Sequence, residues 1–221
     1  MVNFESILNS LTYIDYYFIG INIAGFLFAC FNSLLYRCTK DSSIDFIVTF
    51  CSTLGGSLGI IISLLMFEHL LFSKHKKDIM MSRVYVVCMF IIQMVVYLYL
   101  KGYHIEGLNL DFIQFFLNNK IISIYLVVIN LITFIAFGID KEFAKRRMNR
   151  IRIVTLLFLA LIGGSVGALC GMFSFKHKIR IDYFMIGVPL IICAQIAVIF
   201  YLMNSNIEFI KNFRNTKAEN N

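Results

Sequence analysis

Uncharged polar side chains recur in matched pairs inside the apolar stretches of this chain. Such amide and hydroxyl groups are costly in hydrocarbon, so each one either hydrogen-bonds a neighbouring helix or lines a polar route through the protein. Because no member of these pairs ionises, helix–helix hydrogen bonding and a shared polar route for a ligand both stay open. The candidate ligand or pathway residues are Asn22, Asn130, Gln93, Gln195, Ser57 and Ser165.

An acid followed by a base, Asp140-Lys141, stands where the fourth apolar stretch meets a basic stretch. An acid in this setting typically forms a salt bridge that fixes the geometry of a loop. A proton-handling or cation-binding role is the sharper alternative, since functional sites collect ionisable groups. A second ionisable spot, Glu68-His69, lies inside the second apolar stretch.

Two basic triplets have the sequence Lys-His-Lys. Such cations keep a loop in the cytoplasm. They also suit a phosphate on an anionic lipid or ligand, because each contributes on the order of 1 kcal/mol at such a surface. Histidine, whose ordinary pKa is about 6.5, would add sensitivity to pH. The candidates for an anion or lipid-headgroup site are Lys74, His75, Lys76, Lys176, His177, Lys178 and Arg180.

Each half of the chain carries a cluster of glycines with GxxxG spacing. Small residues at this spacing let two helix backbones approach closely. The alternative is a broken helix whose freed N–H groups face a ligand. The candidates for helix packing or a helix break are Gly55, Gly56, Gly59, Gly163, Gly164 and Gly167.

Other kinds of chemistry have no support in the sequence. The six cysteines form no CxxC pair and do not cluster with the four histidines, so we predict neither a disulfide framework nor a metal site. No nucleophile–base pattern, phosphate-binding glycine loop or pair of midplane carboxylates emerges. We therefore predict no cofactor and find no positive support for an enzyme. Scattered helix-end residues nevertheless leave lipid-modifying chemistry open.

The composition is that of an integral membrane protein. Hydrophobic residues make up 59% and charged residues 15% of the 221 residues, whereas soluble domains are about half apolar and a quarter charged. Spanning a bilayer takes roughly 20 apolar residues, and backbone groups in hydrocarbon must pair within their own segment, which requires helices. The six predicted segments are Tyr13–Leu35, Phe46–Phe72, Val84–Leu100, Ile121–Ile139, Ile153–Phe175 and Tyr183–Met203.

The formal net charge of +7 would suggest nucleic acid as the partner of a soluble protein. We attribute it here to basic cytoplasmic loops, so we predict no nucleic-acid partner. Residues 1–15 contain two acids and no Lys or Arg, unlike a cleavable signal, so the first segment is expected to be a retained anchor. We expect a multi-pass protein of the bacterial cytoplasmic membrane in contact with anionic lipid; a homo-oligomer stays open.

The two halves of the chain resemble each other in the order and spacing of their landmarks. An offset of 108 residues superposes the glycine clusters and places Asn22 on Asn130, and an offset of 102 places Gln93 on Gln195. Internal repeats of this sort build many membrane transport folds. The predicted organisation is a first three-segment repeat at 1–100, a connector at 101–120 that can form an interfacial helix, a second repeat at 121–203 and a polar tail at 204–221.

The glycine-bearing middle segment of each repeat either crosses the membrane or dips in and returns. Basic loops flank it on both sides, so a full crossing places one of them outside, against the positive-inside tendency. A re-entrant hairpin keeps both loops in the cytoplasm, but Phe46–Phe72 is long enough to cross. Full crossings would make the two halves inverted and hairpins would make them parallel. Both topologies stay open.

Three segments of the second half form a specific combination: "FGIDKEFA" (137–144), "LALIGGSVGAL" (159–169) and "FKHKIR" (175–180). Over about residues 126–190 the chain resembles the bacterial membrane family known as domain of unknown function 1294. The first half looks like a degenerate copy, because Cys30-Phe31-Asn32-Ser33 stands in the place of Gly138-Ile139-Asp140-Lys141. The resemblance implies no established activity.

The matched polar pairs and the similar halves lead to a functional hypothesis. We predict a small transporter or channel that moves a small solute, an ion or a lipid headgroup along the interface between the repeats. One alternative is an enzyme that acts on lipid at the cytoplasmic face through Asp140, His177 and nearby Lys or Arg. The other is a structural or regulatory membrane protein without a ligand.

Overall fold

The computed structural model of the chain describes residues 11–39, 45–67, 76–103, 110–176 and 181–204. Six helical segments within these ranges are long and apolar enough to cross a membrane. The predicted all-helical class with six hydrophobic segments is therefore confirmed. The segments are Tyr13–Leu35, Phe46–Phe67, Arg83–Leu100, Lys120–Lys145, Ile153–Phe175 and Gly187–Asn204.

The chain divides into two compact units, Met1–Leu100 and Lys101–Asn221. In the first unit the helix Tyr13–Thr39 packs along the whole middle segment, and the helix Lys76–Leu100 packs against the central turn and the second half of that segment. The elements are α1 (Tyr13–Thr39), α2 (Asp45–Cys51), a π-helical turn that we call the first kink (Ser52–Gly56), α3 (Ser57–Phe67) and α4 (Lys76–Leu100).

The second unit has the same succession of long helices, preceded by a short one. Here the helix Lys120–Lys145 packs along the middle segment, and the helix Gly187–Asn204 packs against the kink and the second half of that segment. The elements are α5 (Phe112–Asn118), α6 (Lys120–Lys145), α7 (Ile153–Leu159), the second kink (Ala160–Gly164), α8 (Ser165–Phe175), α9 (Asp182–Met185) and α10 (Gly187–Asn204).

Each middle segment is a helix that is kinked at one left-handed glycine. Gly55 has φ 129° and ψ −5°, and Gly163 has φ 129° and ψ −9°. Residues with a Cβ adopt a positive φ of this size only with strain, whereas glycine adopts it freely. On either side of the first kink, Cys51 and Ser57 keep right-handed helical angles. The helix therefore resumes after the break.

A second pair of glycines lets the backbones of neighbouring helices touch. A Cβ on Gly59 would lie 1.9 Å from the carbonyl oxygen of Asn22, and a Cβ on Gly167 would lie 2.0 Å from that of Asn130. These distances leave no room for any side chain. The two glycines of each GxxxG motif therefore have different roles. The first forms the break in the helix, and the second allows the close helix crossing.

The distribution of apolar side chains suits a protein surrounded by lipid. Ile121 and Val127 on α6 are 75% and 69% exposed, which would be unfavourable over a whole helix in water. The interior of the second unit holds fully buried Phe137 and Phe184, whose rings meet edge to face at 5.6 Å. Packing between helices therefore uses one side of α6, and hydrocarbon is the expected environment of the other.

Several predicted segment boundaries differ from the structure; the fourth segment, predicted to end at Ile139, continues to Lys145. The last segment was expected to start at Tyr183, but α9 ends at Met185 and α10 starts at Gly187. Pro189 explains the interruption, because it has no N–H to donate to the carbonyl of Met185 and its ring would collide with that carbonyl. The second segment is helical to Phe67, and the rest of its predicted length, with Glu68-His69, lies outside the described residues.

Within the connector, Phe112–Asn118 form the short helix α5, in the region where the sequence allows an interfacial helix. The carboxylate of Asp111 caps α5 by accepting the backbone N–H of Gln114 at 3.1 Å, and such caps favour a helix start at this position. Ile113 and Leu117 on this helix are 74% and 64% exposed. An exposed apolar face next to a membrane segment is typical of an interfacial helix, so the interfacial location stays a prediction with an added reason.

We expect three crossings in each unit. Phe46–Phe67 has 22 residues, which at 1.5 Å per residue span about 33 Å, slightly more than the hydrocarbon core of about 30 Å. Cysteines placed at Asn109 and Asn221, both outside the described residues, should then react with a membrane-impermeant maleimide from opposite sides. The background for both variants lacks the native cysteines. Labelling from one side would instead establish the re-entrant topology.

Candidate functional site

A kink in a membrane helix creates a problem for the backbone. Where the regular pattern breaks, carbonyl groups before the kink and N–H groups after it lose their helical partners. Within hydrocarbon such groups must find partners in the protein, because no water is available. The matched polar side chains supply those partners in both units.

In the first unit, Gln93 on α4 reaches the carbonyl groups before the kink. Its side-chain N–H group donates to the carbonyl oxygen of Ser52 and, at 3.3 Å, to that of Thr53. Its side-chain oxygen accepts the hydroxyl of Ser57 just after the kink. The carbonyl of Leu54 accepts the hydroxyl of Tyr17 at 2.7 Å. Three successive carbonyls are thus satisfied by side chains from α1 and α4.

Asn22 on α1 serves the other side of the first kink. Its side-chain oxygen accepts the backbone N–H of Gly59 at 3.0 Å, and its side-chain N–H donates to the carbonyl of Phe18 at 2.7 Å. The amide therefore connects the first turn of α3 to α1, at the crossing where Gly59 allows backbone contact. We call Tyr17, Asn22, Ser57 and Gln93 the first kink cluster.

The second unit repeats the contacts on the carbonyl side. The side-chain N–H group of Gln195 donates to the carbonyls of Ala160 and Leu161 at 2.7 and 3.0 Å, and its oxygen accepts the hydroxyl of Ser165. The hydroxyl of Tyr125 donates to the carbonyl of Ile162 at 2.5 Å. Each of these contacts lies at an offset of 108 or 102 residues from its counterpart in the first unit.

Asn130 binds both sides of the second kink. Its side-chain oxygen accepts the N–H of Gly167 at 2.6 Å, and its N–H group donates to the carbonyls of Leu126 and Gly163 at 2.7 and 2.9 Å. The bond to the kink glycine itself is an addition to the pattern of Asn22. We call Tyr125, Asn130, Ser165 and Gln195 the second kink cluster.

The structure thus brings the predicted polar residues together in two groups, one within each unit. Their polar atoms bond to the backbone of a kinked helix, to each other or, for the two asparagines, also to their own helix, and Ser57, Ser165 and Gln93 are buried. Tyr17 and Tyr125 were missed by the sequence analysis. The signal was present, because the two tyrosines are related by the same offset of 108 residues as the asparagines.

Asp140 and Lys141 lie within α6, more than a turn before its end, and not at the junction with the loop. Asp140 is fully buried, and its carboxylate accepts the backbone N–H of Ile151 at 3.0 Å. The Lys141 ammonium donates to the carbonyl of Phe175 at 2.5 Å, at the end of α8, where a cation suits the helix dipole. The contacts of this pair connect α6 to the following loop and to the end of α8.

The basic triplets lie largely outside the described part of the chain. Lys176 is exposed and takes a left-handed conformation with φ 46° at the end of α8, while His177, Lys178 and Arg180 are not described. Lys76 starts α4, whereas Lys74 and His75 are not described. The predicted anion or lipid-headgroup site is therefore still a prediction.

A buried acid that the sequence analysis did not single out lies at the start of α1. The Asp15 carboxylate accepts the N–H and the hydroxyl of Thr12 at 2.7 and 2.6 Å and the hydroxyl of Tyr97 at 2.7 Å. The T-x-x-D spacing at a helix start is the sequence signal for such a cap. Among the described residues there is no group of three His, Cys, Asp or Glu side chains that could hold a metal ion.

Comparison with known proteins agrees with the resemblance seen in the sequence. Residues 130–184 match the family described as Protein of unknown function (DUF1294). The chain is 40% identical over 75 residues to the uncharacterized protein YsdA of Bacillus subtilis (strain 168), and the match covers 34% of this chain and 84% of YsdA. No solved structure is significantly similar. With this identity over most of a relative and the family match in the same chain, the protein is a member of the DUF1294 family.

Proposed function

We propose that this protein moves a small solute, an ion or a lipid headgroup across the bacterial cytoplasmic membrane, and that its two kinked helices act as hinges. The observation that carries the proposal is the construction of the kinks. Each middle helix is broken at a left-handed glycine, and side chains from two neighbouring helices satisfy the break. Broken helices are the usual means by which transporters form sites within the membrane.

Support for a two-fold repeat comes from the contacts and from the length of the relative. Both kink clusters use a tyrosine, an asparagine, a serine and a glutamine at equivalent positions for equivalent bonds. The 75 aligned residues are 84% of YsdA, so that protein has about 90 residues, enough for one unit of three helices. Duplicated units are common among transport proteins.

The kink clusters suit a hinge better than a permanently open route. Their amide and hydroxyl groups already bond the kink backbone, each other or, for the asparagines, their own helix, so a ligand would have to replace some of these bonds. Side-chain caps can be exchanged for ligand groups one at a time, whereas helical backbone bonds break together. Movement of α2 against α3, or of α7 against α8, would expose the freed carbonyl and N–H groups. The chemistry of such a site favours a polar ligand of small size.

Flux through reconstituted vesicles tests the proposal. Three probes cover the three ligand classes: a fluorescent phospholipid quenched by dithionite, a potassium gradient with a membrane-potential dye, and a self-quenched small anionic dye. We expect at least one probe to move faster than in vesicles without protein. The double variant Asn22→Ser with Asn130→Ser should slow that movement, after correction for the amount of folded protein. Unchanged flux would remove the kink clusters from the pathway.

A structural or regulatory role without a ligand is the second candidate. It is favoured by one observation, namely that side chains of the kink clusters bond at least three carbonyl groups and one backbone N–H group at each kink. Folded wild-type protein that moves none of the three probes would support this candidate. A lipid-modifying enzyme draws less support, because the contacts of Asp140 are those of a residue that fixes a loop, and His177 is not described.

The basic triplets provide a separate proposal on lipid contact. Replacing Lys176 and Lys178 together by glutamine should weaken the retention of anionic lipid without preventing membrane insertion, because each lost cation removes about 1 kcal/mol of surface attraction. The Lys74 and Lys76 pair should behave alike. Native mass spectrometry with phosphatidylglycerol measures the retained lipid. Equal retention in both double variants would leave only the role of the triplets in membrane topology.

A further inference from the structure

The loop between α6 and α7 carries an excess of positive charge. Six of the twelve residues 141–152 are Lys or Arg, and Glu142 is the one acid among them. Glu142 pairs with Arg146 at 2.9 Å and with Lys145 at 3.8 Å. We call residues 146–152 the arginine loop. Three of its side chains are exposed and form no ion pair or hydrogen bond with any residue that the structure describes: Arg147, Arg150 and Arg152.

Backbone contacts hold the arginine loop in a defined shape. At its start, the N–H of Met148 donates to the carbonyl of Phe143 at 3.0 Å and closes the last turn of α6. Near its end, the N–H of Ile151 donates to the buried carboxylate of Asp140 at 3.0 Å. A ligand that binds a loop of fixed shape loses less affinity to the ordering of the protein. The backbone positions of the three arginines therefore do not have to be organised by the ligand.

Arg147 stands where the backbone favours glycine. Its φ is 57°, the left-handed conformation that glycine commonly takes just after a helix end. A residue with a Cβ adopts this conformation at an energetic cost, so the protein places a cation here against the preference of the backbone. Unfavourable backbone conformations of this kind cluster at ligand sites. Glycine at this position should leave the turn intact, which provides a variant that removes the cation without unfolding the loop.

The position of the arginine loop relative to the membrane determines what its charge meets. The adjoining membrane segments end at Lys145 and begin at Ile153, so the loop is expected at the level of the lipid headgroups. Val154 and Phe158, one turn apart on α7, are 65% and 57% exposed and offer an apolar surface to an acyl chain beside the loop. The crossing and the re-entrant topologies both place this loop on the side with more Lys and Arg, which is the cytoplasmic side. The cytoplasmic leaflet carries the negative surface potential of anionic lipids.

We propose that the arginine loop binds the headgroup of an anionic phospholipid through the guanidinium groups of Arg147, Arg150 and Arg152. A guanidinium group donates two parallel N–H bonds to a phosphate and is more weakly hydrated than an ammonium group. A choline headgroup brings its own cation next to the phosphate, and the three arginines repel it. The site is separate from the Lys-His-Lys triplets. It is also independent of the proposed transport, because binding is measured without flux.

Photo-crosslinking of the full chain tests the site. The protein is placed in phosphatidylcholine nanodiscs with increasing fractions of a probe, either phosphatidylglycerol or phosphatidylcholine with a photoreactive group close to the glycerol backbone. Peptide mass spectrometry then measures labelling of the arginine loop. We expect the anionic probe to label the loop at a lower fraction than the choline probe. Arg147→Gly should raise the fraction required about fivefold, the factor for one cation at a membrane surface, and replacing Arg150 and Arg152 by glutamine as well should remove the preference.

A control variant with the same change in net charge separates the site from general attraction. It has glutamine in place of three cations of the C-terminal tail, and it should label the loop as the wild type does. The unfolding temperature in detergent should stay at the wild-type value in Arg147→Gly, which keeps the test decidable where the triple variant is unstable. Equal labelling of the loop by the two probes, or an equal loss in the tail variant and the triple variant, would overturn the site. The residues replaced in the control are Lys211, Arg214 and Lys217.

Discussion

Alanine at Gly59 or at Gly167 is expected to cost the protein at least about 3 kcal/mol of folding free energy, at the upper end for overpacked sites. The added Cβ would lie 1.9 Å from the carbonyl oxygen of Asn22, or 2.0 Å from that of Asn130. Both obstacles are backbone atoms inside a helix, so no side-chain rotation relieves the contact. The helices must separate, and the asparagine bonds to the N–H groups of the two glycines would lengthen with them.

Gly20→Ala is the matched control for this prediction. It lies on α1, and a Cβ there meets nothing within 4 Å, so alanine should be neutral or stabilising by up to about 1 kcal/mol through helix propensity. Thermal unfolding in detergent, followed by size-exclusion chromatography, should show a loss of roughly 10 °C for the Gly59 and Gly167 variants. A Gly59→Ala protein as stable as Gly20→Ala would mean that the helix crossing is looser than described.

The membrane class and the positions of the segments follow from the sequence with few errors, because long apolar runs have one favourable environment. The first segment, Tyr13–Leu35, and the fifth, Ile153–Phe175, have the same bounds in the structure. The error at Tyr183 came from Pro189, whose effect is exerted four residues upstream on Met185. The length of the apolar run alone does not show that Pro189 lacks the backbone N–H that would continue the helix.

The sequence identifies which polar residues matter, but it does not predict which groups their side chains bond. The offset between the halves identified Asn22, Ser57 and Gln93 with their counterparts, but a spacing cannot tell whether an amide faces a ligand or a backbone carbonyl. That distinction depends on the positive φ of Gly55 and Gly163, which frees the groups that the amides bind. A GxxxG pattern predicts close packing, and it carries no sign of which glycine turns left-handed.

Gln93→Leu and Gln195→Leu are expected to destabilise the protein by about 2 to 4 kcal/mol each, because each leaves two carbonyl groups of a kink without their partner in a buried, apolar setting. In the first unit these are the carbonyls of Ser52 and Thr53, and in the second those of Ala160 and Leu161. This exceeds the average of about 0.6 kcal/mol for hydrogen bonds between membrane helices. In those cases one side-chain bond is lost at a time, whereas each glutamine bonds two kink carbonyls and a serine hydroxyl at once.

Gln114→Leu serves as the control for this pair, since Gln114 is exposed on α5 and the same replacement there should change stability by less than about 0.5 kcal/mol. Unfolding is again followed in detergent, and flux is measured in parallel with the probe that the wild type moves. If the glutamines stabilise the kinks, both variants should unfold at a lower temperature than the wild type, and their flux per folded molecule should change as well. If they serve only as ligands, flux falls while the unfolding temperature stays at the wild-type value, and that result would contradict the hinge.

Because the two kink clusters are built alike, a hinge in both units also requires that Gln93→Leu and Gln195→Leu lower stability in the same way. An effect confined to one of them would restrict the hinge to that unit.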